Sequence, residues 1–194
     1  MRKLIGPGKI KTAIFISGKG TNLKSLHKLS TKKNSPIKIE IVISNNSLAK
    51  GLDYATKHKI KQKIFDFKDK NKSEKEILKC LKKNQIFLIC LAGFMKILSK
   101  SFIKKFKGKI LNIHPSLLPK YKGLNTHQRA IENKDKYSGC TVHFVNSKLD
   151  SGKIIIQKKV RIFKNDDYKT LKKRILKQEH ILYSKAIKKI FSNL

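Results

Sequence analysis

Tryptophan is absent from this chain of 194 residues, proline occurs only four times and cysteine three times, and 12 acidic residues face 47 lysines and arginines. The cysteines, Cys80, Cys90 and Cys140, are odd in number, widely spaced and lack any Cys-x-x-Cys pair or a histidine at zinc-like spacing. A disulfide framework and a structural metal are therefore both excluded as expectations. No apolar run approaches the ~20 residues that a membrane helix requires. The opening Met1-Arg2-Lys3-Leu4-Ile5-Gly6-Pro7-Gly8 also breaks its apolar run too early for a secretory leader. The expectation is a cytoplasmic protein with no membrane partner. Internal repeats, low-complexity linkers and composition shifts are missing too, and 194 residues suit one domain with a sizeable core. A single domain over 1–194 follows.

The formal charge of +35 invites a nucleic-acid reading. Only Arg2, Arg129, Arg161 and Arg174 carry the guanidinium fork that grips phosphates or bases bidentately; the other cations are lysines. Those lysines alternate with Ile, Leu and Phe at helical or strand periods along the whole chain, the pattern of solvated outer faces. No basic stripe with interleaved aromatics occurs, so no specific nucleic-acid partner is expected. Anionic small molecules would still be drawn in.

The chain alternates strand and helix signals. An apolar run from Lys11 to Ser17 ends in a glycine-rich turn, and Leu23, Leu26 and Leu29 then recur at helical spacing. Strands are read at 36–44, 60–65, 86–92, 109–113, 140–145 and 154–160, with helices at 47–59, 73–83, 99–106 and 168–191. The segment 115–137 is the longest without a strand. This order predicts an α/β fold: an open, mostly parallel twisted sheet of about seven strands with helices on both faces, its ligands bound at the carboxyl ends of the strands.

Two constellations carry chemistry. Gly18-Lys19-Gly20-Thr21-Asn22 sits after the first strand, where backbone N–H groups and the positive end of a helix meet an anion. Leu23 replaces the third glycine of a dinucleotide loop and no Gly-Lys-Ser/Thr ending is present, so a monophosphate fits better than a nicotinamide or triphosphate; an ordinary tight turn is the competing reading. Asn112-Ile113-His114, followed by Pro115-Ser116-Leu117-Leu118-Pro119, puts an amide and an imidazole two residues apart on one side of a strand. Acyl transfer to an amine needs that pair, a neutral donor for the developing oxyanion and a group that exchanges a proton. A nearby carboxylate such as Asp150 would raise the imidazole pKa and orient the ring. The competing reading is that Asn112 and His114 satisfy loop carbonyls.

In context, four blocks in the same order resemble the folate-dependent glycinamide ribonucleotide formyltransferases: Ala13 to Leu23, Leu91 to Leu98, Leu111 to His127 and Val142 to Gly152. The resemblance runs from about Lys11 to Phe191. It implies direct formyl transfer from 10-formyltetrahydrofolate, a co-substrate, to the amine of glycinamide ribonucleotide, without metal or covalent intermediate. Asn112 and protonated His114 would stabilise the oxyanion, with Asp150 assisting the proton transfer. The resemblance also puts the ribonucleotide on Gly20, Thr21, Asn22 and Glu179. It puts the folate on Met95, Lys96, Ile97, Leu98, Asn112, and the segment Asn146, Ser147, Lys148, Leu149 and Asp150. By themselves, Met95, Ile97 and Leu98 would read as core, and Glu179 as a solvated helix residue. A cis Leu118–Pro119 bond is implied as well. The partners are small molecules, and the protein a monomer or homodimer.

The chain departs from the family pattern at Thr21 for Ser, Lys96 for Arg, Lys122 for Pro and Asn125 for His; a basic residue expected against folate near Lys70 to Lys72 has no clear counterpart. Methionyl-tRNA formyltransferase shares the chemistry, but it carries a further C-terminal domain for which this length leaves no room. Formyltetrahydrofolate hydrolase normally adds an N-terminal one. A non-catalytic RNA-binding protein would show steep salt dependence and tolerate loss of His114. His143 is read as alternating along the sixth strand, His27 and His58 as surface positions, and His127 as the remaining histidine of interest.

Overall fold

The computed structural model describes residues 8–191. The stretch 1–7, read above against a leader, and the last three residues of the expected 1–194 domain lie outside them. Seven strands form one sheet in the order β3-β2-β1-β4-β5-β6-β7. β1 (Ile10–Ile16), β2 (Ile37–Ser44), β3 (Gln62–Ile64), β4 (Leu88–Leu91) and β5 (Lys109–His114) run parallel, whereas β6 (Tyr137–Phe144) and β7 (Ile154–Arg161) are antiparallel to their neighbours.

The central strands are continuous apolar runs because both faces are covered, the usual condition of a parallel sheet. Period-2 geometry divides each between two cores. Ile14 and Ile16 of β1, Leu88 and Cys90 of β4 and Leu111 and Ile113 of β5 face one cluster. Ala13 and Phe15, Ile89 and Leu91, and Ile110 face the other. The first cluster is closed by α1 (Thr21–Ser30), α2 (Lys50–Lys57) and α6 (Tyr168–Phe191), the second by α3 (Lys70–Lys83) and α4 (Lys100–Lys105). α6 supplies Leu171, Ile175, Leu182, Tyr183, Ala186, Ile187 and Phe191, an apolar stripe at helical spacing. Its start is fixed by a reciprocal cap: the Asp167 carboxylate accepts from Thr170 N–H at 2.7 Å while Thr170 Oγ1 accepts from Asp167 N–H at 3.0 Å.

The seven expected strands are all present, β3 being shorter than the predicted 60–65. Other bounds shift by a few residues, β6 starting at Tyr137 rather than Cys140 and α2 spanning Lys50–Lys57 rather than 47–59. α3 begins at Lys70 rather than Ser73, because Asp69 caps it by accepting from Lys72 N–H. The segment 115–137 contains a helix, α5 (Thr126–Glu132), whose short length hides its periodicity. The Leu118–Pro119 bond is cis. All three cysteines are free and buried, and burial pushes the thiols of Cys90 and Cys140 up to about 12.

Tyr183 ties α6 to the sheet, its buried hydroxyl lying 3.0 Å from Leu111 O and 3.2 Å from Leu91 O. Tyr183→Phe is expected to lower unfolding stability by about 1 kcal/mol. Urea denaturation should show a lower midpoint at unchanged slope.

Candidate active site

Strand order reverses between β1 and β4, because the chain leaves β1 toward β2 and returns on the other side at β4. Such a switch point opens a crevice at the carboxyl ends of the strands. Here the loop after β1 meets the loop after β4: Ser17 N–H donates to Gly93 O at 3.1 Å, and Met95 N–H donates to Ser17 Oγ at 2.8 Å.

Gly20 is the N-cap of α1, with φ of 67°. A Cβ there would come within 2.7 Å of Gly51 Cα, so only glycine permits this close approach. No side chain caps the helix, so the first-turn N–H groups of Thr21, Asn22 and Leu23 remain available to an anion. Asn22 points across to α6, where its Nδ2 donates to Glu179 Oε2 at 2.8 Å while its Oδ1 is buried without a partner. Glu179 is only 7% exposed. Burial, opposed by the Asn22 hydrogen bond and the Lys172 charge, raises its carboxyl to about 7. The solvated reading of Glu179 is thus replaced by a buried one with a raised pKa.

Asn112 and His114 share the face of β5 opposite Leu111 and Ile113. The loop between β6 and β7 brings Asp150 over them. Its Oδ2 lies 3.4 Å from His114 Nδ1 and accepts from Gly123 N–H at 2.9 Å; its Oδ1 accepts a long bond from Asn112 Nδ2 at 3.4 Å. Gly152, two residues on, lets the chain pass where a Cβ would strike Phe144 O at 1.7 Å. His114 Nε2 is 2.8 Å from Tyr121 O, and since a carbonyl only accepts, that nitrogen carries the hydrogen.

The fourth member of this cluster is His143, opposite Asn112 in the antiparallel β5–β6 pairing. Its Nδ1 donates to Phe144 O at 2.8 Å, which leaves Nε2 to accept from Asn112 Nδ2 at 3.3 Å and to lie 3.7 Å from Asp150 Oδ1. Alternation along the strand was legible in the sequence. Its position beside Asn112 was not, because that depends on the register of an antiparallel partner.

The electrostatics correct one expectation. Asp150 does favour a charged His114, but burial outweighs it. Desolvation, joined by the nearby His143 and Arg129, lowers the imidazole pKa below its usual value despite the raising effects of Tyr121 O and Asp150. Burial alone would raise Asp150, yet His143 and His114 when protonated, together with Gly123 N–H, hold its pKa below the usual value. His127, on α5, is buried with Nδ1 unpartnered, and burial together with Lys172 and His114 lowers it to about 4.

On the loop after β4, Met95 and Ile97 are 66% and 64% exposed, against the core reading of their side chains, whereas Leu98 is buried as core. Lys96 and the segment Asn146 to Leu149 are also exposed. Asn146 Oδ1 orders that segment by accepting from Lys148 N–H at 3.0 Å and Ser151 Oγ at 3.1 Å. The departure at Asn125 is conformationally apt, since this residue caps α5 at φ 57°, a region asparagine tolerates. His58 is exposed and His27 half-buried, and their rings lie 4.8 Å apart beside Tyr54. Among the described residues, no group of three or more His, Cys, Asp or Glu side chains is arranged to hold a metal ion, and no helix is long and apolar enough to cross a membrane.

Residues 10–187 match the family model described as Formyl transferase. The chain is 46% identical to the phosphoribosylglycinamide formyltransferase of Haemophilus influenzae, over 92% of this chain and 85% of that one. It is 40% identical to the human trifunctional purine biosynthetic protein adenosine-3 over 95% of this chain but only 18% of that much longer protein. The crystal structure of phosphoribosylglycinamide formyltransferase from Brucella melitensis superposes with a TM-score of 0.91 at 40% identity, covering 96% of this chain and 98% of that one.

The raised Glu179 carboxyl has a thermodynamic signature. It keeps its proton in the fold where the unfolded chain has released it, so its contribution to stability falls as pH rises from 4.5 to about 7. Glu179→Gln, which retains an acceptor for Asn22, should therefore be more stable than wild type above pH ~7, by up to about 3 kcal/mol, with the difference vanishing near pH ~4. Thermal denaturation across pH reads this; a constant difference between the two proteins would refute a buried titrating carboxyl.

Proposed function

The chain belongs to the formyl transferase family, and on that premise we propose that it transfers the formyl group of 10-formyltetrahydrofolate to the amine of glycinamide ribonucleotide, a step of purine biosynthesis. The observation that carries this reading is the convergence of Asn112, His114 and Asp150 at the carboxyl end of β5, together with a helix start with unspent N–H groups after β1 in the same sheet. One is an acyl-transfer centre, the other a phosphate subsite.

In the proposed reaction the amine nitrogen attacks the formyl carbon, the carbonyl electron pair moves to oxygen, and Asn112 Nδ2 exchanges its long bond to Asp150 for one donated to that oxygen. The amine then loses a proton to His114, and the imidazolium faces the Asp150 carboxylate at 3.4 Å and adds to the stabilisation of the oxyanion. Collapse breaks the bond from the formyl carbon to the carrier nitrogen, which receives the proton. No covalent bond to the protein is needed. The lowered pKa of His114 suits this order, since a neutral imidazole is ready to accept.

Gly20, Thr21 and Asn22 are assigned to the ribonucleotide phosphate, and Glu179 to its glycinamide or ribose end. The folate ring is assigned to the two loops Met95–Leu98 and Asn146–Asp150. Exposed Met95 and Ile97 offer apolar area for a bicyclic ring, and backbone groups of both loops can meet its amide edge. The reading extends to a single domain over 1–194, cytoplasmic, without a metal, acting on small molecules as a monomer or homodimer.

A formyl-transfer assay with both substrates tests this. His114→Ala is expected to cut turnover by two orders of magnitude or more, with the fold retained by circular dichroism. Asp150→Asn should leave KM for both substrates nearly unchanged, lower kcat and alter the pH–rate profile; an unaltered profile would remove Asp150 from the proton transfer.

A further inference from the structure

The segment between the cis peptide bond and α5 presents two main-chain groups to the His114–Asp150 pair. Tyr121 O accepts from His114 Nε2 at 2.8 Å, and Gly123 N–H donates to Asp150 Oδ2 at 2.9 Å. The chain reaches both by turning left-handed at alternate residues, with φ of 55° at Tyr121, 77° at Gly123 and 57° at Asn125. Glycine and asparagine accept that conformation readily. For a tyrosine it costs about 1 to 2 kcal/mol, so other contacts must hold it.

Those contacts lie away from the reacting atoms. The Tyr121 hydroxyl donates to Asp135 Oδ2 at 2.9 Å, and the Lys120 ammonium bridges both Asp135 oxygens at 3.0 and 3.2 Å. The Arg129 guanidinium stacks 5.0 Å above the Tyr121 ring and donates to Lys122 O at 2.9 Å. Ser116 Oγ donates to Lys120 O at 2.6 Å. Asp135 follows α5 and Arg129 lies on it, so a short helix is fastened to a loop that it would otherwise only follow.

We infer that Asp135 and Arg129 are positioning residues for the catalytic imidazole: by clamping Tyr121 they aim its carbonyl at His114, fix the hydrogen on Nε2 and leave Nδ1 to take up a proton against Asp150. The inference rests on the reading of His114 as the proton-exchanging group. With Nε2 occupied, the lone pair of Nδ1 faces a carboxylate, an arrangement relieved when a proton arrives at that atom. The groups facing His114 are Asp150 from the β6–β7 loop, His143 from β6, Arg129 and His127 from α5, and the Tyr121 carbonyl from the loop itself. Only Asp150 and the carbonyl favour the charged ring. Releasing the carbonyl therefore lowers the midpoint of His114 further.

The test uses the full chain with Tyr121→Phe and Asp135→Asn, both near-isosteric. Nitrogen NMR of labelled histidine should show wild-type neutral His114 protonated at Nε2. In either folded variant, the signal should shift toward a mixture of tautomers and the titration midpoint should move to lower pH. Formyl transfer should lose about tenfold to a hundredfold in kcat, with KM for both substrates within about twofold. Should one variant fail to fold, the other decides. A tautomer and midpoint identical to wild type in a folded variant would overturn the inference. Absence of formyl transfer by the wild-type protein would instead overturn the functional reading, while the NMR result would still decide whether the clamp orders the imidazole.

Discussion

A carboxylate held largely out of water beside an imidazole is the constraint on which this structure turns. Desolvating Asp150 costs free energy, and groups from other segments of the chain offset it. Gly123 N–H bonds one carboxylate oxygen, Asn112 approaches the other, and His143 stands beside it. Each of these needs a particular backbone: the left-handed turns of the 121–125 segment, the antiparallel β5–β6 pairing, and the tight passage at Gly152. The folding of three separate segments is thereby coupled to one buried carboxylate.

The parallel part of the sheet does a different job. Its two apolar faces build the core, and its switch point between β1 and β4 brings two loops within hydrogen-bonding distance through Ser17. The glycine-rich turn and the Met95 loop are therefore in fixed register, although Ser17 and Met95 are 78 residues apart along the chain. Ser17 also donates to Asn45 after β2, so all three strand ends at this edge of the crevice are joined.

The strands, most of the helices and the site motifs could be read from periodicity and residue type because they are local properties. Apolar runs such as Ile86 to Ala92 announce burial on both faces, and Asn112-x-His114 announces a shared face whatever the strand pairs with. What escaped depends on pairing across the chain. His143 joined the site through its register with Asn112. Glu179, exposed by sequence logic on a lysine-rich helix, was buried by its contact with Asn22. Met95 and Ile97 look like core and face outward because the β4 loop turns at Gly93, whose φ is 78°. The direction of the His114 shift also escaped, since a neighbouring carboxylate is visible in a sequence and the surrounding desolvation is not.

The three buried cysteines bear on what the protein does not do to an activated one-carbon unit. A thiolate is a better acyl acceptor than an amine at neutral pH, so an accessible low-pKa cysteine near such a donor would compete for the group and divert it into a thioester. Here Cys90 and Cys140 sit on β4 and β6, flanking the strand that carries Asn112 and His114, with their thiols pushed up to about 12. They remain protonated and walled off. The sheet that builds the site thus also protects the formyl group from sulfur, and the same burial shields these thiols from oxidants.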